Sequence, residues 1–200
     1  MEPTGGSPDA ARTGNAGRIA LRLPLDAARI SDLHAGDQVA LTGTVLAARD
    51  AAHQRMHDLL AAGEPLPFAI AGETIYYVGP SPAQPGQVIG SAGPTSGYRM
   101  DAFTPELLAL GLLGMIGKGR RAREVVEAIQ RHHAVYFGAV GGAGALLARR
   151  IRRQEPVAWD DLGAEAVVRL WLEDFPVVVI NDAYGSDLYD SIIGPGPADE

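Results

Sequence analysis

The sequence contains no cysteine. That excludes disulfides, zinc–thiolate sites and an iron–sulfur cluster held by this chain's own thiols. Lysine is almost missing: of 17 basic side chains, Lys118 is the single lysine and the rest are arginine. No apolar run reaches the about 18 residues of a membrane-spanning helix, so none is expected. The opening stretch MEPTGGSPDAARTGNAG has no apolar core of a secretory signal, and this points to the cytoplasm. A net charge of −7 argues against a general binder of nucleic acid or of anionic membranes.

What is present is ordinary for a globular chain of 200 residues, with 46% hydrophobic and 20% charged side chains. A chain of this length buries roughly 70% of its unfolded surface and needs no covalent or metal staple. The charge is unevenly spread. Residues 160–200 hold ten acids against one base, Arg169, and so carry −9, while the remainder carries +2. The wealth of Arg, Ala and Gly is what a GC-rich genome produces, and against that background a lone Lys118 between Gly117 and Gly119 stands out.

Residues 1–17 are expected to be a disordered tail, 18–190 a folded domain and 191–200 a loose tail. Alternating apolar residues predict strands over 18–25 and 38–46, with Pro24 ending the first. Asp50 is a good N-cap for a helix over 50–62, whose stripe Ala52, Met56, Leu59, Leu60 ends at Gly63. Thr74–Val78 predicts a short strand and 87–89 another. Residues 104–110 predict a short helix, 111–119 a Gly-rich turn, 120–132 a helix with Val125, Val126 and Ile129 inward, 134–140 a buried strand, and 143–153 a helix. Strands follow at 156–159, 166–172 and 176–182. Trp159, Trp171 and Phe175 are expected in the core. This order predicts an α/β architecture, a mixed sheet with flanking helices.

Three loops unite small residues with cations. Arg49 precedes a helix N-terminus, where unpaired N–H groups favour anions. The loop Thr95–Asp101 brings backbone and hydroxyls close to a ligand beside the Arg99 fork. The third is Gly117-Lys118-Gly119, followed by Arg120, Arg121 and Arg123. Cations in the first turn of a helix oppose its dipole. Each feature alone fits an ordinary solvated residue, and Arg120, Arg121 and Arg123 are read as facing away from any site. Arg149, Arg150, Arg152 and Arg153 read as a solvated or subunit-facing helix end.

Several motifs fail. Leu112 and Gly119 stand where a P-loop needs Gly and Ser or Thr. The turn at Gly141–Gly144 misses the third glycine of a dinucleotide fingerprint at Leu147. His53 and His57 share a helix face, yet no third ligand is evident, so no metal site is assigned. His53 lies one turn from Arg49 and can face the same pocket. The residue chemistry therefore predicts a binding site for a small polyanionic acid, without chemistry of its own.

The blocks GDQVALTGTVLAARDAAHQR (36–55), GPTSGYRMD (93–101), GMIGKG (114–119), AVGGAGALLA (139–148), AWDDLGAEAV (158–167) and EDFPVVVINDAYG (173–185) occur in one order. That series resembles the C-terminal domain, or separate β subunit, of class I iron–sulfur hydro-lyases, the family of class I fumarate hydratase and L(+)-tartrate dehydratase. The resemblance implies a swivelling β/β/α domain. It implies an α/β hetero-oligomer whose α subunit holds a [4Fe–4S] cluster through three cysteines, its open iron acting as Lewis acid on the substrate hydroxyl. It implies that Arg49, Arg99 and Lys118 bind the carboxylates and oxygens of a small dicarboxylate, and that Thr95 takes part in proton transfer. Asp50, His53, Ser96 and Asp101 complete the expected pocket. The family usually reads G-P-T-T-S-x-R, and here Ser96 and Gly97 follow Thr95, so one hydroxyl is lost. Three readings stay open: the β subunit of a fumarate hydratase, the β subunit of a tartrate dehydratase, and an acid-binding module without catalysis.

Overall fold

A computed structural model describes residues 17–194. The tails expected at either end lie outside the described residues over 1–16 and 195–200. The described chain runs β1 (Ile19–Arg22), α1 (Ala27–Ser31), β2 (Gln38–Ala47), α2 (Asp50–Ala61), β3 (Thr74–Tyr76), a 3-10 turn (Gly97–Met100), α3 (Thr104–Ala109), β4 (Gly114–Gly117) and α4 (Arg123–Arg131). It continues through β5 (Val135–Gly138), α5 (Gly144–Ala148), β6 (Ile151–Ala158), a second 3-10 segment (Asp160–Glu165), β7 (Val167–Asn181) and α6 (Leu188–Ile193).

The strands form one mixed sheet in the order β1-β2-β3-β4-β5-β7-β6. β1 to β5 are parallel neighbour to neighbour. β7 is antiparallel to β2, β5 and β6. Because β7 pairs with both β5 and β2, the ladder β2-β3-β4-β5-β7 returns to its start and closes, leaving β1 and β6 as edges among the described residues. The sequence expectation of a mixed sheet with flanking helices holds.

Period-two alternation divides the strand side chains between two cores. Tyr76, Ile116, Phe137 and Val179 pack in one, while their chain neighbours Tyr77, Met115, Tyr136 and Ile180 pack in the other. The second core is roofed by Ala52 and Met56 of α2, Leu107 and Leu108 of α3, and Val125 and Ile129 of α4. Each large apolar side chain fully buried contributes about 1.5–3 kcal/mol before entropy is counted. The two strands carrying most sequence separation, β2 and β7, hold the ring together.

The structure corrects the sequence reading at several places. Residues 114–117 are a strand, and the glycines serve close approach: a Cβ at Gly114 would fall 2.5 Å from Thr74 Oγ1, and one at Gly117 would fall 2.9 Å from the Tyr136 hydroxyl. The turn character sits outside, at Gly111 and Gly119, with φ of 94° and 80°. The helix expected over 143–153 stops at Ala148, and residues 151–158 pair with β7 instead. Sheet pairing overrides the helical propensity of the arginine run. The strands expected at 166–172 and 176–182 are one strand bent near Asp174, whose φ is 49°. No strand forms at 87–89. Helix α4 begins at Arg123, so Arg120 and Arg121 precede it. Phe175 is in the core, whereas Trp159 and Trp171 are half-buried.

Candidate active site

In a parallel sheet, loops leaving the carboxyl ends of neighbouring strands converge on one edge, and ligands bind there. Here those loops carry the candidate residues. Arg49 follows β2 and is the N-cap residue of α2. Lys118 follows β4, and Thr95 lies on the strap that crosses from beyond β3. The strap is stitched to both strands. Thr95 N–H donates to the Tyr77 carbonyl at 2.7 Å, Lys118 N–H donates to the Thr95 carbonyl at 3.2 Å, and Gly97 N–H donates to the Lys118 carbonyl at 2.8 Å. Thr95 and Lys118 are therefore backbone neighbours although 23 residues separate them.

Arg99, on the 3-10 turn that follows, reaches back across to α2. Its Nη2 lies 2.8 Å from Asp50 Oδ2, and the same oxygen lies 4.0 Å from Arg49 Nε. Asp50 thus stands between the two arginines and keeps their charges in one place. Arg49 is braced on its other side by Glu165, with Nη2 donating to Oε1 at 2.7 Å. The second oxygen of Glu165 accepts from Ala51 N–H at 2.8 Å and so caps the first turn of α2 from 114 residues away. A carboxylate at a helix N-terminus is favoured by the dipole. Arg49 Nε is buried without a partner among the described residues.

Lys118 is exposed and has no carboxylate partner among the described residues. Thr95 is buried, and its hydroxyl has no protein hydrogen bond among the described residues. The edge therefore presents two arginines held by carboxylates, one free ammonium and one uncommitted hydroxyl.

Beneath this edge lies a buried polar layer. His53 is fully buried. Its Nδ1–H donates to the Arg49 carbonyl at 3.0 Å, while Nε2 has no partner among the described residues. Burial lowers its pKa to about 4, against the opposing pull of the Arg49 carbonyl, so the ring is neutral at pH 7. Its ring meets Tyr77 edge-on, with centroids 5.3 Å apart. Burial also pushes the Tyr136 phenol above its ordinary pKa.

Of the expected pocket residues, Asp50 and Ser96 lie at the edge: Asp50 pairs with Arg99, and Ser96 is bridged to Lys118. His53 and Asp101 lie below it. Asp101 faces Arg121 and not the open edge, accepting from Arg121 Nε at 2.6 Å and from Ala122 N–H at 2.7 Å. Arg121, read from sequence as facing away, is buried within this layer, because its loop turns inward before α4 starts. Arg120 does face outward, paired with Asp190. His57 pairs with Glu106 at 3.0 Å and not with His53. Among the described residues no group of three or more His, Cys, Asp or Glu can hold a metal ion. No described helix is long and apolar enough to cross a membrane. Glu165 and Gly79 escaped the sequence reading. The sole pointer to Glu165 was its place in the block AWDDLGAEAV.

A cleft of about 480 Å³, lined by Gln87–Ser91, Arg149 and Arg152 among others, lies apart from this cluster. None of Arg49, Thr95, Arg99 or Lys118 lines it. At the candidate site Arg99 and Lys118 are exposed, and Thr95 is buried.

Fold and site together define an α/β domain whose carboxyl edge gathers Arg49, Arg99 and Lys118. The chain belongs to the Fumarase C-terminus family, whose model matches residues 2–192. It is 36% identical over 184 residues to the anaerobic class I fumarate hydratase of Escherichia coli (strain K12), covering 90% of this chain and 34% of that protein. It is 35% identical over 180 residues to fumarate hydratase 2 of Leishmania major, covering 88% of this chain and 32% of the other. A putative L(+)-tartrate dehydratase subunit beta of Methanocaldococcus jannaschii is 34% identical over 169 residues, covering 82% of this chain and 87% of that subunit. The chain thus spans about a third of the length of the fumarate hydratases it matches.

Proposed function

We propose that the chain is the substrate-clamping β portion of a class I fumarate hydratase, working with an α chain in the reversible hydration of fumarate to (S)-malate. The observation that carries the reading is the meeting of Arg49, Thr95, Arg99 and Lys118 on one edge, reached from three separate loops. The swivelling β/β/α architecture that the resemblance implies belongs to the same proposal.

The residues suit a dianion. Arg49 and Arg99 offer forks for carboxylates, and Lys118 offers a point charge. Holding the acid at both ends fixes its central carbons over Thr95. Removing a proton beside a carboxylate pushes negative charge onto that carboxylate. A cationic clamp there stabilises the charge as it develops. In this proposal Thr95 Oγ1 receives that proton as the alkoxide and ends as the hydroxyl, its own proton having first passed to a base that the proposal assigns to the α chain. An ordinary threonine is a weak base, so its competence depends on a charged neighbour that stabilises the deprotonated form; Lys118 is tied to Thr95 through the backbone. The [4Fe–4S] cluster implied by the resemblance is assigned to the α chain, since this chain has no cysteine and no clustered ligands among the described residues.

A second reading has its own support. The tartrate dehydratase relative is a subunit of nearly this chain's length, so a β subunit acting on tartrate fits the same scaffold. The test is co-expression with a cysteine-bearing hydro-lyase α chain and steady-state rates on malate and tartrate. The expected result is that malate is turned over faster and that this chain alone, anaerobically supplied with iron and sulfide, is inactive. Faster turnover of tartrate transfers the assignment to the second reading. A pair inert to both acids, or turnover by this chain alone, overturns the proposal.

A further inference from the structure

We propose that Arg121 is the positioning residue of this site: its buried guanidinium fastens the Thr95–Asp101 segment to the Lys118 end of β4 and so sets how the Thr95–Ser96 backbone is held against Lys118. The inference rests on the functional reading of Thr95, Arg99 and Lys118.

The Arg121 side chain is wholly buried. Its Nε donates to Asp101 Oδ1 at 2.6 Å, and its Nη2 donates to Thr104 Oγ1 at 2.7 Å. The other oxygen of Asp101 accepts from Ala122 N–H at 2.7 Å. One carboxylate thus ties down both the side chain of residue 121 and the backbone of residue 122. Asp101 lies two residues beyond Arg99, and Arg121 three residues beyond Lys118, so the tie joins the roots of two clamp residues.

The same guanidinium forms the floor under the strap. Its carbon lies 4.7 Å from the centre of the Tyr136 ring and 5.4 Å from that of Tyr77. Tyr77 is the residue whose carbonyl holds Thr95. A Cβ at Gly97 would fall 2.6 Å from the Tyr136 hydroxyl and 2.8 Å from Arg121 Cδ. The strap therefore rests directly on these two side chains, with no room for a side chain of its own at residue 97. A lysine at 121 cannot reproduce this, because a point charge lacks the planar fork that meets Asp101 and Thr104 together and stacks on the rings. Arg99 is separately held by Asp50. Loosening the tie should therefore disturb Lys118 and the strap beside it more than it disturbs Arg99 and Arg49.

Removing Arg121 alone strands a buried carboxylate and endangers folding. The informative variants are Arg121→Lys and the uncharged pair Arg121→Met with Asp101→Asn, in which the amide oxygen that replaces the carboxylate can still accept from Ala122 N–H. In the α/β complex with malate, both should fold, with kcat reduced at least tenfold and KM raised less than threefold. A second readout is independent of turnover. Lys118 is the chain's single lysine, so its acetylation by acetic anhydride as a function of pH, read by peptide mass in the same complex, reports its environment directly. The variants should shift the Lys118 labelling rate at least threefold. Unchanged kcat together with unchanged Lys118 labelling overturns the inference, even if the melting temperature falls. If the wild-type complex turns over neither malate nor tartrate, the functional reading fails, and the labelling alone decides whether Arg121 positions Lys118.

Discussion

Arg49 lies across Gly79: a Cβ added to that glycine would fall 2.5 Å from Arg49 Nε and 2.7 Å from its Cζ. The glycine is there to let the guanidinium pass. What would have to move is the far end of a flexible side chain and not backbone. Gly79→Ala should therefore displace the clamp while sparing the fold. A displacement of this size costs roughly 10- to 100-fold in kcat/KM, with a stability loss under about 1 kcal/mol. Rates in the α/β complex proposed above and thermal melts of this chain check both halves. Normal kcat/KM in the alanine variant would remove Arg49 from the site.

Arg99→Lys and Lys118→Ala test the other two clamps. Loss of a charged hydrogen-bonded contact is worth about 1.5–3 kcal/mol, or roughly 10- to 150-fold in kcat/KM. Arg152→Ala is the control. It removes a pair with Glu173 in which both side chains are more than half exposed, and it should leave kcat/KM within a few-fold. Near-normal rates for both clamp variants would reject the site.

Glu165 serves two masters, and two substitutions separate them. Glu165→Ala removes both the brace on Arg49 and the cap on α2, and should cost about 1 kcal/mol of stability as well as activity. Glu165→Gln keeps an acceptor for Ala51 N–H but turns an amide toward Arg49. It should recover stability without recovering kcat/KM. Equal recovery of both would show that the cap alone matters.

His53 predicts a pH dependence of stability. Its folded pKa, about 4, lies below its ordinary 6.5 because the buried ring cannot take up charge. The unfolded chain binds the extra proton between those values, so stability is full above pH 6.5 and is lost as pH falls toward 4. Between pH 7 and 5 this one group removes about 2 kcal/mol. Denaturant melts at the two pH values, compared with His53→Gln, isolate it. The variant should lose that part of the pH dependence, and an identical slope in both proteins would show that the ring titrates normally.

That Arg49, Thr95, Arg99 and Lys118 were worth singling out was legible because each sits in a short motif whose spacing is local, and their convergence on one edge is what the fold adds. What surrounds them was not. Glu165 reaches Arg49 from 116 residues away, and nothing in the local pattern of either residue announces the other. Arg121 has the same sequence signature as Arg120, a cation near a helix start, and the two take opposite sides because only one has Asp101 and Thr104 within reach. The elements fared likewise. α2 was readable from its cap and stripe. β4 was hidden by glycines that serve close packing in a strand, and β6 by a propensity that pairing with β7 overrules.

β6 is an edge of the sheet, and an edge is an invitation for a stranger's strand to add on. Its residues 152–155 read Arg-Arg-Gln-Glu and are all exposed, and Pro156 beside them has no N–H to offer. The arginines that resembled the end of a helix thus acquire another use. They make the open margin of an otherwise closed ring costly to extend, so that two copies meeting in a crowded cell have little reason to zip together.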